Sequence, residues 1–168
     1  DYRLIQEDGL TYVSLRSFVS GTYDNMLARY AREGAKARGS KAVIYDLRGN
    51  VGGSDSWPRK WIQSFLGTQN SIETSMLYAQ KNSALFAAEN SESLLPEDEG
   101  TCFAREVHGT WYENDIPIIV LVDDHCGSSG EGAVQLLKTL DNVLIVGSTT
   151  AGYQLCGNIS TFTLPYTG

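Results

Sequence analysis

The stretch Ile116-Pro117-Ile118-Ile119-Val120-Leu121-Val122-Asp123-Asp124-His125-Cys126-Gly127-Ser128-Ser129-Gly130-Glu131 decides the fold. Its first seven residues are the most apolar run of the chain, and a short run of this kind, bounded by polar residues, reads as a strand buried on both faces. Asp123 and Asp124 end it. Ser128 and Glu131 then form the S-x-x-E pattern of a capped helix start. Ala133, Val134, Leu136, Leu137 and Leu140 give the following helix its apolar face.

The same handover from strand to helix occurs upstream. Residues 41–47, with an Ala-Val-Ile-Tyr core, read as a second buried strand that runs directly into Arg48-Gly49-Asn50-Val51-Gly52-Gly53. Ser54 or Asp55 can cap the next helix, with Pro58 in its first turns and Trp61, Ile62 and Phe65 on one face. Farther out, 2–5 and 11–18 predict a hairpin about Glu7-Asp8-Gly9, and 24–38 a helix ended by Gly39. Strands are expected around 72–78, over 143–146 as a buried element, and over 160–164. The polar stretch 80–114 contains Glu97-Asp98-Glu99 and a short helical possibility at 84–89; it reads as a long surface excursion. Apolar strands alternating with amphipathic helices are the signature of an α/β domain with a largely parallel sheet.

Composition narrows the function. At 168 residues, 42% hydrophobic and 20% charged, the chain makes one domain around one core. No run is apolar for the roughly 18 residues a membrane-spanning helix needs. Thirteen Lys and Arg against 20 Asp and Glu give a net charge of −7, which argues against nucleic acid as a partner. Cys102, Cys126 and Cys156 are too few for a disulfide framework, and no zinc-like spacing appears. Asp123 and Asp124 have no spacing that marks them as metal ligands, so neither a metal nor a cofactor is expected.

In open α/β sheets, ligands bind where strands hand over to helices. Ser128 sits at such a point, at the positive end of a helix, and is a candidate nucleophile; a plain capped helix is the competing reading. Beside it, the glycines after Asn50 let backbone N–H groups approach a ligand closely. Gly52 or Gly53 can supply one donor for a tetrahedral oxyanion, and Ser129 the other.

These residues resemble a known family. Tyr45-Asp46-Leu47-Arg48-Gly49-Asn50-Val51-Gly52-Gly53 is similar to the D-L-R-x-N-x-G-G turn of the C-terminal processing (tail-specific) serine peptidases and their tricorn-core relatives. Val120-Leu121-Val122 leading to Gly127-Ser128-Ser129-Gly130-Glu131 resembles their nucleophile strand and helix start. Val146-Gly147-Ser148-Thr149-Thr150-Ala151-Gly152 resembles their following V-G-E-x-T-x-G turn. The matches occur in family order across residues 41–153. They imply a ClpP/crotonase-like core, peptide-bond hydrolysis of unstructured or C-terminal segments, Ser128 as nucleophile, and an oxyanion hole from the Gly52 and Ser129 amides. A peptide or protein substrate and an extracytoplasmic location, in the cell envelope or secreted, follow from the same resemblance.

The chain departs from the pattern at the base. Where the processing peptidases carry a Lys, this sequence has Tyr153, and a phenol with an ordinary pKa near 10 is a poor base at neutral pH. Relatives that use a His carry it in a D-G-H-[ST]-like motif upstream, and no such motif is present. His125, three residues before Ser128, and His108 are the remaining candidates, each with a surface role as the alternative. The simpler expectation is a single peptidase core, a fragment of a longer protein whose N-terminal cap supplies the His; the start at Asp1 and the end at Leu164-Pro165-Tyr166-Thr167-Gly168, where the family's domain would continue, agree with it. Two rivals stay open: a peptide-binding module that has lost the base, and an acyl-CoA-handling enzyme of the same fold, against which the net charge speaks. Trp57, Trp61 and Trp111 can line a peptide groove or pack, and a Cys126–Cys156 disulfide is conceivable.

Overall fold

The computed structural model describes residues 1–81, 83, 87 and 99–155. Strands β1 (Tyr2–Glu7) and β2 (Leu10–Leu15) form the expected hairpin, with Asp8 and Gly9 at positive φ in its turn. Helix α1 (Asp24–Glu33) follows, then a 3-10 segment Gly34–Gly39, so the helical stretch tightens before Gly39 ends it. Strand β3 (Ala42–Asp46) leads to α2 (Ser56–Leu66), and β6 (Ile118–Val122) to α3 (Ser129–Leu137). Strand β7 (Val143–Gly147) and a short 3-10 turn, Tyr153–Leu155, close the described chain.

The sheet runs β1-β2-β3-β6-β7, parallel throughout except for β1, as the apolar runs predict. Its register aligns Ser14 with Asp46, Asp46 with Leu121, and Val122 with Gly147. The turns after β2, β3, β6 and β7 therefore leave from one edge, and this alignment builds the site. Below it, Val43, Tyr45, Ile118 and Val120 pack against α1, α2 and α3 in one core. Trp61 belongs to that core and not to a groove: it stacks on Phe65 at 5.4 Å and meets Tyr45 edge-on at 4.8 Å.

Several expectations change. Ile72 is buried but precedes the strand, because β4 begins only at Met76 (Met76–Lys81). The polar stretch is not simply irregular: β5 (Cys102–Val107) pairs with β4 in a separate antiparallel ribbon. A polar, approximately alternating segment without a second apolar face hides such a strand from periodicity. Strand β7 is not buried. Leu144, Ile145 and Val146 are exposed, since β7 is the edge of the sheet among the described residues. The expected helix at 84–89, apart from Ala87, and the expected strand at 160–164 lie outside the described residues.

Candidate active site

Two turns meet at the edge where the parallel strands end. The first begins at Asp46, whose fully buried carboxylate accepts the Arg48 amide (3.0 Å), Arg48 Nε and Nη2 (2.9 Å each) and the Tyr12 hydroxyl (2.7 Å). Arg16 adds a second guanidinium at 3.5 Å. Burial pushes this carboxyl up, but the Arg48 and Tyr12 bonds and the Arg16 charge outweigh it and hold it well below the usual carboxylate range. Asn50, also fully buried, donates to the Leu15 carbonyl (2.8 Å) and accepts the Gly52 amide (2.9 Å). The Phe18 amide donates to the Gly52 carbonyl (2.7 Å), and the Ser54 amide to the Phe18 carbonyl (3.0 Å), fixing the exit of the turn.

The second turn carries Ser128. Its φ of 53° and ψ of −123° are unusual for a residue with a side chain, and in the sequence it is the one exposed residue between buried Cys126, Gly127, Ser129 and Gly130. The sharp reversal presents the Ser128 side chain to solvent while α3 begins at the next residue. The two turns are bolted together. The Gly127 amide donates to the Asn50 carbonyl (2.9 Å), the Gly49 amide to Asp123 Oδ1 (2.8 Å), and Ser129 Oγ to the Gly53 carbonyl (2.7 Å). A Cβ on Gly52 would lie 2.7 Å from Ser128 Cβ, so only glycine permits this approach.

A third turn closes on the same point. The Ala151 amide donates to the Cys126 carbonyl (2.9 Å), and a Cβ on Gly127 would lie 2.9 Å from the Tyr153 ring. Glu131, buried, accepts the Ser128 amide (3.0 Å), the Gln154 amide (2.8 Å), the Gly152 amide and the Thr150 hydroxyl (2.7 Å each). Burial raises its pKa, yet these four donors together hold it below the ordinary range.

Of the sequence candidates, the structure brings together Ser128, Ser129, Gly52 and Gly53. The Ser129 and Gly53 amides have no acceptor among the described residues, whereas the Gly52 amide is engaged by Asn50. His125 Nδ1 pairs with Asp124 Oδ1 at 2.8 Å, both side chains standing in solvent, and His108 is exposed beside Glu106. Among the described residues, neither imidazole bonds Ser128. Cys126 is buried and free; burial first, then the Glu131 and Asp123 charges, push its thiol up to about 12, so it stays protonated and is no competing nucleophile. Cys156 lies outside the described residues. Asp123, Asp124 and His125 bring one ligand atom each within 4.8 Å of one another, but two of the three are exposed and Asp123 already accepts the Gly49 and His125 amides. Trp57 is half-buried and donates to Ser20 Oγ (3.0 Å); Trp111 is exposed and donates to Asp141 (2.6 Å).

Sequence reasoning left Asp46 and Asn50 without a role and gave Glu131 only a capping role. The signal for Asn50 was present, because an Asn two residues before a glycine is placed to bond that amide. The remaining bonds of Glu131 come from residues far along the chain and leave no local pattern.

The parallel strands thus end in two facing turns, one presenting the exposed Ser128 and the other a backbone amide, that of Gly53, with no acceptor among the described residues. The chain matches Peptidase family S41 over residues 9–165 and belongs to that family. Its fold is shared with the photosystem II D1 C-terminal processing protease at 20% identity and a TM-score of 0.52, over 86% of this chain and 31% of that one. A lipoprotein from Streptococcus agalactiae matches at 18% identity and 0.52, over 91% and 50%. Mature CPAF matches at 13% and 0.53, over 90% and 40%. The chain thus spans half or less of the length of these structures, and at such identities the likeness establishes the fold alone. No curated protein matches the chain in sequence.

Proposed function

We propose that this chain is the single-domain core of a serine endopeptidase that cuts unstructured or C-terminal peptide segments. Ser128 Oγ attacks the scissile carbonyl carbon, its proton passes to a base and then to the leaving amine, and water hydrolyses the acyl-enzyme. The Ser129 amide is one oxyanion donor. The Gly53 amide is the other in the present geometry, and the Gly52 amide takes that role once Asn50 releases it. The observation that carries the reading is the exposed Ser128 at φ 53°, packed against Gly52 and followed by an amide with no acceptor among the described residues.

The base comes from outside these residues, from a cap in a longer protein. Supporting this, both His side chains stand in solvent, and by the sequence resemblance Tyr153 falls where the family's Lys is expected. The ClpP/crotonase-like assignment and a location outside the cytoplasm accompany this reading. The bond from the Gly52 amide to Asn50 favours a second reading, a peptide-binding module without turnover, because that donor faces away from an incoming oxyanion.

One experiment separates them. A fluorophosphonate is offered to the chain, so that Ser128 Oγ displaces fluoride at phosphorus, with and without added imidazole as a substitute base. Labelling that is slow, accelerated by imidazole and absent in Ser128→Ala is expected. Fast labelling independent of imidazole places the base within the chain. No labelling under either condition, with retained binding of unstructured peptides, selects the binding module.

A further inference from the structure

Helix capping explains only one of the four bonds at Glu131. A capping box needs one carboxylate oxygen on the N-cap amide, here Ser128 at 3.0 Å. The other three donors, Thr150, Gly152 and Gln154, belong to the turn after β7 and add nothing to the cap. The carboxylate is buried, and among the described residues its partners are all neutral donors. A buried anion held only by neutral donors is costly to desolvate and stays in place when every lone pair is engaged. Its two oxygens divide the work: Oε1 takes Thr150 and Gly152, and Oε2 takes Ser128 and Gln154. Oε2 therefore holds the amide of Ser128 and the amide next to Tyr153 on a single atom.

We propose that Glu131 is a positioning residue for Ser128, its carboxylate fastening the turn that carries Ser128 to the 150–154 turn, whose Tyr153 ring lies against Gly127. The proposal rests on Ser128 being the nucleophile. Its consequence is that the strained φ of Ser128 is maintained from across the site and not by α3 alone. Glutamine cannot replace this arrangement, because its amide nitrogen would face two of the four donors.

The test compares the unsubstituted chain with Glu131→Gln and Thr150→Val, the latter removing one donor far from Ser128 in sequence. Imidazole-assisted fluorophosphonate labelling gives a binding constant and a maximal rate, and amide hydrogen exchange at Gly152 and Gln154 reports the clamp. Glu131→Gln is expected to lower the maximal rate about tenfold to a hundredfold, the loss that small misplacement of a reacting group produces, with the binding constant unchanged. Thr150→Val is expected to lower the rate about threefold, one of the four hydrogen bonds to the carboxylate being lost while three remain. Exchange at Gly152 and Gln154 rises in Glu131→Gln. An unchanged maximal rate in folded Glu131→Gln, or in folded Thr150→Val should the former not fold, overturns the proposal. Failure of the unsubstituted chain to label at all overturns the nucleophile reading instead, and the positioning role falls with it.

Discussion

The two turns at the sheet edge adopt left-handed backbone by opposite means. The turn after β3 does so with glycines, Gly49, Gly52 and Gly53 at φ 70°, 98° and 135°, whereas the turn after β6 does so with Ser128 at 53°. Glycine carries no steric penalty there, and serine costs on the order of 1–3 kcal/mol. The first turn is thus shaped to let backbone come close. The second keeps a side chain at a point where a glycine would be more comfortable, as the proposed nucleophile requires. Each turn is then held by buried polar side chains, Asp46 and Asn50 in the first and Glu131 in the second.

Gly53→Ala should have the largest effect. Its Cβ would fall 2.1 Å from the Phe18 carbonyl carbon, a backbone atom with no freedom to retreat, at a φ that disfavours any side chain. A loss of at least about 4 kcal/mol, in the range reserved for such clashes, is expected in chemical denaturation. Asn50→Ala comes next, at about 3 kcal/mol, because it leaves the Leu15 carbonyl and the Gly52 amide without their buried partner. Should Asn50→Ala melt like the parent, the first turn is held by its glycines alone and the comparison above fails on that side.

How much of this was legible in the sequence divides along similar lines. The central strands were readable because Ala-Val-Ile-Tyr and Ile-Ile-Val-Leu-Val are uninterrupted apolar runs, and the glycines and Ser128 were readable because turns concentrate distinctive residues. Strand β5 was not, since Cys102–Val107 mixes charge and apolar residues in a ribbon away from the main core. The exposure of β7 was missed because Val-Leu-Ile-Val looks the same at an edge as at the centre. At the site, Ser128 and its neighbours follow from local pattern. The duties of Asp46, Asn50 and Glu131 depend on partners such as Tyr12, Leu15 and Thr150, which only folding brings near.

The fastenings of the two turns should also respond differently to solution conditions. Asp46 and Glu131 both titrate below their ordinary range, so each contributes stability that is present above the unfolded-state pKa, near 4, and is lost as pH falls through the folded-state value. A melting temperature that declines as pH drops below about 4 is therefore expected. Only Asp46 relies on guanidiniums, those of Arg16 and Arg48, and both are partly exposed. Asp46→Asn should cost about 2 kcal/mol, the scale of charge-assisted hydrogen bonds, and should flatten part of the acid limb. Molar salt should weaken the parent more than Asp46→Asn, because exposed guanidiniums are screened. Equal salt sensitivity in the two would mean that the first turn, like the second, depends on its neutral donors.

The smallest effect has the opposite sign. Ser128→Gly removes the side chain from the one non-glycine position in the two turns that holds a positive φ, relieving strain, while the flexible glycine gives back part of the gain through unfolded-state entropy. The net expectation is stabilisation by about 1 kcal/mol, read as a melting temperature about 2–4 °C higher, together with complete loss of fluorophosphonate labelling. Ser128→Ala should abolish labelling equally but leave the strain, and so should not be stabilised. The difference between these two variants isolates the backbone term from the loss of the hydroxyl. If Ser128→Gly were less stable than Ser128→Ala, the left-handed conformation would carry no strain, and the contrast between a glycine-built turn and a serine-built one would lose its energetic basis.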